Sequence, residues 1–226
     1  MSVPRSIAAV GAAYLIGTLP SADIVTRLAT KGRVDIRSAG TGNPGAANVA
    51  GVVGKKWGAV VMAADVAKGL VACRLGGRLA GGPGMHVAGP VAVAGHCYPA
   101  WDGFEGGKGV ATSSGQVLAT FPIYFPIDAA VAAVVSRLPM LRRRAFAATE
   151  VASAAWVASA LLWWRCGLPN PAGAAPGPGL AIAALATSAI IRVRFEQTEA
   201  KVEAWRRQQD AGDQRTERDA NAGERA

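Results

Sequence analysis

Two glycine-rich segments hold the side chains best suited to chemistry. In the first, Asp35-Ile-Arg-Ser-Ala-Gly-Thr-Gly-Asn-Pro-Gly-Ala-Ala-Asn48, the glycines at 40, 42 and 45 free the backbone to turn successive N–H groups toward one point. Thr41, Asn43 and Asn48 add side-chain donors. That set suits the oxygens of a phosphate. It matches neither the Walker pattern nor the dinucleotide fingerprint, because the spacing differs and no apolar strand precedes it. A simple Gly-Pro connection between two helices is the competing reading.

The second segment is Gly95-His-Cys-Tyr-Pro-Ala-Trp-Asp-Gly-Phe-Glu-Gly-Gly-Lys-Gly-Val-Ala-Thr112. Gly106, Gly107 and Gly109 surround Lys108, whose ammonium meets an anion as a point charge while the following helix aims its first amides the same way. A lone lysine here would equally suit lipid headgroups. Two anion-suited segments on one side of a membrane favour phosphate. His96 is either a general base or a hydrogen-bonded histidine at a helix end.

A third group sits at membrane depth. Ionisable residues there cost roughly 2.5 to 3.5 kcal/mol each, so they face the bundle interior and pair. Asp65 and Lys68, three apart, share a helical face, either as a neutralised structural pair or as a substrate contact. Asp23 and Arg27, four apart, read the same way. Cys73, Cys97 and Cys166 have no Cys-x-x-Cys spacing and only His86 and His96 as soft partners, so a structural zinc site is not expected.

The elements that position these groups follow from hydropathy and charge. Of 226 residues, 51% are hydrophobic and 17% charged, which excludes a disordered polar chain and, with three cysteines, a small disulfide scaffold. The net charge of +9 is divided among separate segments, which argues against nucleic-acid binding. Residues 6–22, 110–127, 151–164 and 166–191 contain no Asp, Glu, Lys or Arg. A bilayer core needs roughly 20 apolar residues per helix, so the chain reads as an all-α integral membrane protein. A cleaved signal peptide would explain the first stretch alone.

Helices are predicted at about 5–28, 56–76, 86–101, 109–121, 122–138, 145–165 and 179–194. Five or six spans also fit, because the third to fifth are short or joined through Phe121-Pro122 and Phe125-Pro126. With seven spans and the N-terminus outside, inner segments hold 18 Lys and Arg and outer ones four, which is the expected asymmetry. Residues 167–179 form an outer loop. Residues 1–195 then make one membrane domain, and 196–226 a polar cytoplasmic tail, a short helix fading into disorder. A small-solute transporter would also bury Asp65 and Lys68, but it predicts inverted repeats that this sequence lacks.

Several segments together resemble the bacterial acyl-phosphate:glycerol-3-phosphate acyltransferases. They are Gly17-Thr-Leu-Pro-Ser21, Asp35-Ile-Arg with Gly40-Thr-Gly-Asn-Pro-Gly-Ala-Ala-Asn-Val49, Asp65-Val-Ala-Lys-Gly69, and Gly95-His with Pro99 and Phe104-Glu-Gly-Gly-Lys-Gly-Val-Ala-Thr112. The match runs in order from about residue 7 to 200. The resemblance implies a multi-pass protein of the bacterial inner membrane, with seven helices and the N-terminus outside. It implies transfer of a fatty acyl group from acyl phosphate to the 1-hydroxyl of glycerol 3-phosphate, giving lysophosphatidate for phospholipid synthesis, without cofactor or metal. Membrane lipid would be its other partner.

Catalysis would then be proximity plus charge stabilisation, with the donor's own phosphate taking the hydroxyl proton. By motif match, Thr41, Gly42, Asn43, Gly45, Asn48, Gly106 and Gly107 would bind phosphate and Lys108 would neutralise charge. His96 would be the candidate base, with Ser21, Arg37, Asp65 and Lys68 in support. The chain also departs from the pattern. Ala47 and Gly51 stand where the family has a threonine and an arginine, and Glu105 stands for a lysine. Thr187, Ile190 and Val193 replace the usual residues of the last span, where Thr198 and Glu199 survive and Arg192 or Arg194 is the available stand-in. An inactive relative that binds phosphate or phospholipid is the second reading.

Overall fold

The computed structural model describes residues 3–138 and 144–223. Of the expected inner-side cations, Arg142, Arg143 and Arg225 lie outside these residues, as does the end of the expected tail. The described residues form helices and no strand. The helices are α1 (Val3–Gly17), α2 (Ser21–Thr30), α3 (Ala46–Val52), α4 (Lys55–Cys97), α5 (Val110–Thr120), α6 (Phe125–Arg137), α7 (Arg144–Cys166) and α8 (Pro178–Gly223). Short 3-10 turns at Ala100–Asp102 and Pro122–Tyr124 complete the set.

The predicted helix over 5–28 is broken in the middle, between α1 and α2. Pro20 has no N–H to continue the ladder. The Leu19 carbonyl, lying between the two helices, accepts the Ser21 N–H at 2.9 Å and Lys68 Nζ at 2.6 Å. The spans predicted at 56–76 and 86–101 are the two arms of α4. They fold back on each other at Ala80 (φ −137°, ψ 23°) and Gly81 (φ 64°, ψ −160°), a conformation that glycine adopts without a Cβ penalty. The arms lie so close that a methyl group on Gly76 would strike the Gly84 carbonyl, and one on Gly84 would strike that of Gly76.

Similar contacts bind α4 to its neighbours. Gly69 packs on the Thr112 carbonyl of α5, Gly115 of α5 on the Val66 carbonyl, and Gly17 of α1 on the Ala92 carbonyl. Small residues replace bulky knobs where helix backbones must touch, which is how helices associate in lipid. Larger side chains fill a separate core between α5, α7 and α8, built on Val117, Phe121, Tyr124, Trp156 and Leu180.

Among the described residues, three stretches are long and apolar enough to cross a bilayer: Val3–Thr30 taken through the Pro20 break, Ala145–Cys166 and Pro178–Glu203. Val3, Ile7, Val10 and Leu15 of α1 lie exposed, an apolar surface suited to lipid. The last helix does not end near residue 194 as predicted. It continues to Gly223, 46 residues in all, or about 69 Å of helix.

Candidate functional site

The site forms where the loop before α3, the loop after α4 and the middle of α8 meet. In the first loop, Gly40 and Gly42 have φ of 61° and 68°, left-handed values that bend the chain back on itself. Asn48, at the start of α3, closes the bend. Its Oδ1 accepts the Thr41 N–H at 2.9 Å, while Nδ2 donates to the carbonyls of Ile36 (3.2 Å) and Ala39 (3.0 Å). Both ends of the Asn48 amide are therefore engaged with the loop it shapes. Thr41 and Asn43 face the cavities described below, and Gly45 sits tightly against the Asn43 amide.

Arg37 anchors this loop to everything around it. Nε and Nη2 bind the Asp23 carboxylate at 2.8 and 3.1 Å, Nη2 also reaches Asp102 at 2.9 Å, and Nη1 donates to the Glu105 carbonyl at 2.6 Å. Burial pulls the guanidinium's pKa down, but the Asp23 hydrogen bond and the charges of Asp23, Asp102 and Asp35 outweigh it and raise it. Asp23 was expected to pair with Arg27, four residues along the helix. It pairs instead with Arg37, whose guanidinium the returning loop brings against both carboxylate oxygens, while Arg27 on the same helix is exposed.

The second loop lies across the end of α4. The N–H groups of Gly106 and Gly107 donate to the carbonyls of Cys97 (3.0 Å) and His96 (3.1 Å), so both amides are taken up by α4. A Cβ on Gly106 would strike the His96 carbonyl, and one on Gly107 the His96 ring. Lys108 follows. Its Nζ stands 3.9 Å from the centroid of the Phe195 ring, and burial lowers its pKa while the Glu199 charge raises it.

Behind this loop lies a buried ionic cluster. Lys68 Nζ contacts Asp65 Oδ1 at 2.7 Å and His96 Nδ1 at 3.4 Å, and His96 Nδ1 stands 3.7 Å from Asp65 Oδ1. Asp65 and Lys68 thus form the predicted pair. Ser21, at the start of α2, lines the same small void as Asp65, Lys68, His96 and Gly107.

Two larger cavities share the first loop. One, of about 500 Å³, is lined by residues including Arg37, Thr41, Asn43, Glu105, Arg194 and Lys201. The other, of about 630 Å³, is lined by Thr41, Asn43, Asn48, Gly51, Lys108 and Glu199, among others. Sequence reasoning left Arg192 and Arg194 open as stand-ins. Arg192 points outward to Glu150 (3.4 Å) and Glu196 (3.3 Å). Arg194 turns inward: Nη2 donates to the Gly106 carbonyl at 2.6 Å and Nε to that of Gly107 at 3.3 Å.

Lys201 was missed altogether, and it forms an ion pair with Glu105. The signal was present in the spacing, because Arg194, Thr198 and Lys201 recur at helical intervals and share one face. What hid it was the assumption that the helix ended near 194.

An apolar helical bundle with an anion-suited pocket at its helix ends defines an all-α integral membrane protein. The chain belongs to the glycerol-3-phosphate acyltransferase family, whose model matches residues 7–202. It is 43% identical over 158 residues to the glycerol-3-phosphate acyltransferase of Myxococcus xanthus, covering 66% of this chain and 79% of that one. It is 38% identical over 160 residues to that of Maricaulis maris, covering 71% and 72%. The alignment with the Thermoanaerobacter pseudethanolicus protein, at 44% identity, spans 54% of this chain and 61% of the relative's length.

Among solved structures, the fold is similar to the integral membrane glycerol 3-phosphate acyltransferase PlsY. Its glycerol 3-phosphate form superimposes with a TM-score of 0.66 at 28% identity, covering 89% of this chain and 93% of that one. Its lysophosphatidic acid form gives 0.67 at 27% identity, with the same coverage.

Proposed function

We propose that this chain transfers a fatty acyl group from acyl phosphate to the 1-hydroxyl of glycerol 3-phosphate, for phospholipid synthesis in the bacterial inner membrane. The hydroxyl oxygen attacks the acyl carbonyl carbon, the carbon–oxygen bond to phosphate breaks, and the departing phosphate takes the hydroxyl proton. The products are lysophosphatidate and inorganic phosphate. The observation that carries this reading is the meeting of Thr41, Asn43 and Lys108 on one cavity, although Asn43 and Lys108 are 65 positions apart and α3 and α4 lie between them.

In this reading Thr41, Gly42, Asn43 and Gly45 bind phosphate within a loop that Asn48 holds, and Lys108 neutralises charge on the substrate or leaving group. Gly106 and Gly107 contribute by letting the second loop press against α4. His96 acts from the buried cluster with Asp65 and Lys68, and Ser21 and Arg37 support the walls. Seven spans with the N-terminus outside would put both loops at the cytoplasmic face, where a water-soluble acceptor meets a lipid-tailed donor. Residues 196–226 then form a cytoplasmic extension beyond the membrane domain. No cofactor or metal enters this scheme.

The test is reconstitution of the purified chain with acyl phosphate and glycerol 3-phosphate, reading lysophosphatidate. Turnover is expected, and Lys108→Ala should largely remove it. A second reading, phosphate or phospholipid binding without turnover, is favoured by Gly51 and by Thr187. The Thr187 hydroxyl is fully buried and donates to Gln116 Oε1 at 2.8 Å, which commits it to helix packing. Phosphate-dependent thermal stabilisation in the absence of any turnover would select that reading.

A further inference from the structure

We propose that Arg194 is the residue that receives the substrate phosphate's charge in this chain, and that it couples that contact to the placement of Lys108. The proposal rests on the phosphate-binding reading above and extends it to a residue that the sequence motifs do not include.

Arg194 is 7% exposed and lines the cavity of about 500 Å³. Its hydrogen bonds run to two backbone carbonyls, those of Gly106 and Gly107, its guanidinium lies 5.4 Å from the Tyr98 ring centroid and within reach of the Glu105 charge, and among the described residues it has no direct ion pair with a carboxylate. The other cations of the site differ. Arg37 has Asp23 and Asp102, Lys68 has Asp65, and Lys201 has Glu105. Lys108 lies on the Phe195 ring within reach of the Glu199 charge.

A buried guanidinium without a carboxylate in direct contact is costly, and carbonyl dipoles, a ring face and the Glu105 charge, itself engaged by Lys201, offset only part of that cost. Arg194 has five N–H donors, more than its two carbonyl acceptors use. A phosphate in the cavity supplies both the missing charge and acceptors matched to the planar fork.

The neighbouring cavity of about 630 Å³, which shares Gly40, Thr41 and Asn43 with the one that Arg194 lines, explains why this chain needs such a group. Gly51 leaves its α3 side without a side chain. Arg194 comes from α8 instead, so the cation reaches the shared loop from that helix. Because the same side chain holds the carbonyls of residues 106 and 107, anion capture and the position of the next residue, Lys108, are linked through a single group.

The experiment compares wild type, Arg194→Gln, Arg194→Lys and Gly51→Arg combined with Arg194→Gln. Each is the full chain in lipid nanodiscs. The readouts are KM and kcat for glycerol 3-phosphate and the thermal shift produced by inorganic phosphate. Loss of a charged hydrogen-bonded contact predicts a KM raised by about tenfold to a hundredfold in Arg194→Gln, with the phosphate-induced shift lost. A Cβ at position 51 meets open space, so the added arginine fits and should recover part of the KM and of the shift. Arg194→Lys keeps a charge but not a fork and should fall between. It decides the matter if the glutamine variant does not fold.

Turnover in wild type with unchanged KM in both Arg194 variants would overturn this inference and leave the enzyme reading intact. If wild type shows no turnover, the phosphate-induced shift decides. Its loss in Arg194→Gln supports the role, and its retention there, or its absence in wild type, overturns it.

Discussion

The Glu105 carboxylate pairs with the Lys201 ammonium across the mouth of the cavity that also holds Thr41 and Asn43. Glu105 stands where the family pattern has a lysine, which by itself would repel a phosphate. The pair cancels that repulsion and draws α8 over the second loop. Lys201, through its hydrogen bond and then its charge, holds the Glu105 carboxyl below its usual range.

Removing Lys201 should therefore expose the acidic group to the substrate. Lys201→Ala is expected to raise KM for glycerol 3-phosphate by about threefold to tenfold at low salt, and less at high salt, as a screened charge effect. Adding Glu105→Gln should restore it. Stability should move by no more than about 1 kcal/mol, because both side chains are exposed. A KM that ignores both substitutions would refute the electrostatic account.

With Lys108 meeting the substrate phosphate as proposed, the reaction should be pH-dependent. Burial lowers its pKa from the ordinary 10.5, and the ammonium is the form that attracts an anion. Phosphate affinity should be complete at neutral pH and decline as pH rises through the lowered value, so the alkaline limb of kcat/KM lies below 10.5. Lys108→Arg should move that limb upward or abolish it. For folding the sign is opposite. The unfolded chain holds this proton more tightly, so Lys108 adds stability as pH rises from its folded-state value toward 10.5.

Asn48 should matter for the loop more than for contact with substrate. Asn48→Ala leaves the Thr41 N–H without its acceptor and two carbonyls without their donor. A loss of about 1 to 3 kcal/mol is expected, together with a raised KM. Thermal unfolding in nanodiscs measures the first and steady-state kinetics the second. A large KM change at full stability would instead assign Asn48 to the substrate.

Helix contact sets a different kind of limit. Gly69→Ala places a methyl group on the Thr112 carbonyl, a backbone atom that cannot move aside without shifting α5 and with it Lys108. The variant should yield little folded protein by size-exclusion profile, whereas Gly82→Ala, which meets open space, should behave as wild type. Equal yields would mean that the α4–α5 contact has room for a methyl group at Gly69.

Much of this architecture is legible in the residue order. Uncharged stretches announce apolar helices, and Asp65 with Lys68 announces a buried pair, because a charge at membrane depth must find a partner close by in the chain or across the bundle. The glycine loops are equally readable. What spacing cannot supply is the choice between partners of similar chemistry. Asp23 had a helical neighbour in Arg27 and took Arg37. Asn48 and the amides of Gly106 and Gly107 are donors on paper, yet packing directs them at carbonyls of the protein itself.

By itself, then, the residue order determined that the chain is helical and apolar, and which two loops carry groups suited to phosphate, since these depend on local composition and short-range geometry. Only the tertiary structure decided that α8 joins those loops, that Arg194 rather than Arg192 turns inward, and that Glu105 is answered by Lys201. Those outcomes depend on which faces meet once the helices pack, and a contact between residues 88 or 96 positions apart leaves no periodicity in the chain to read.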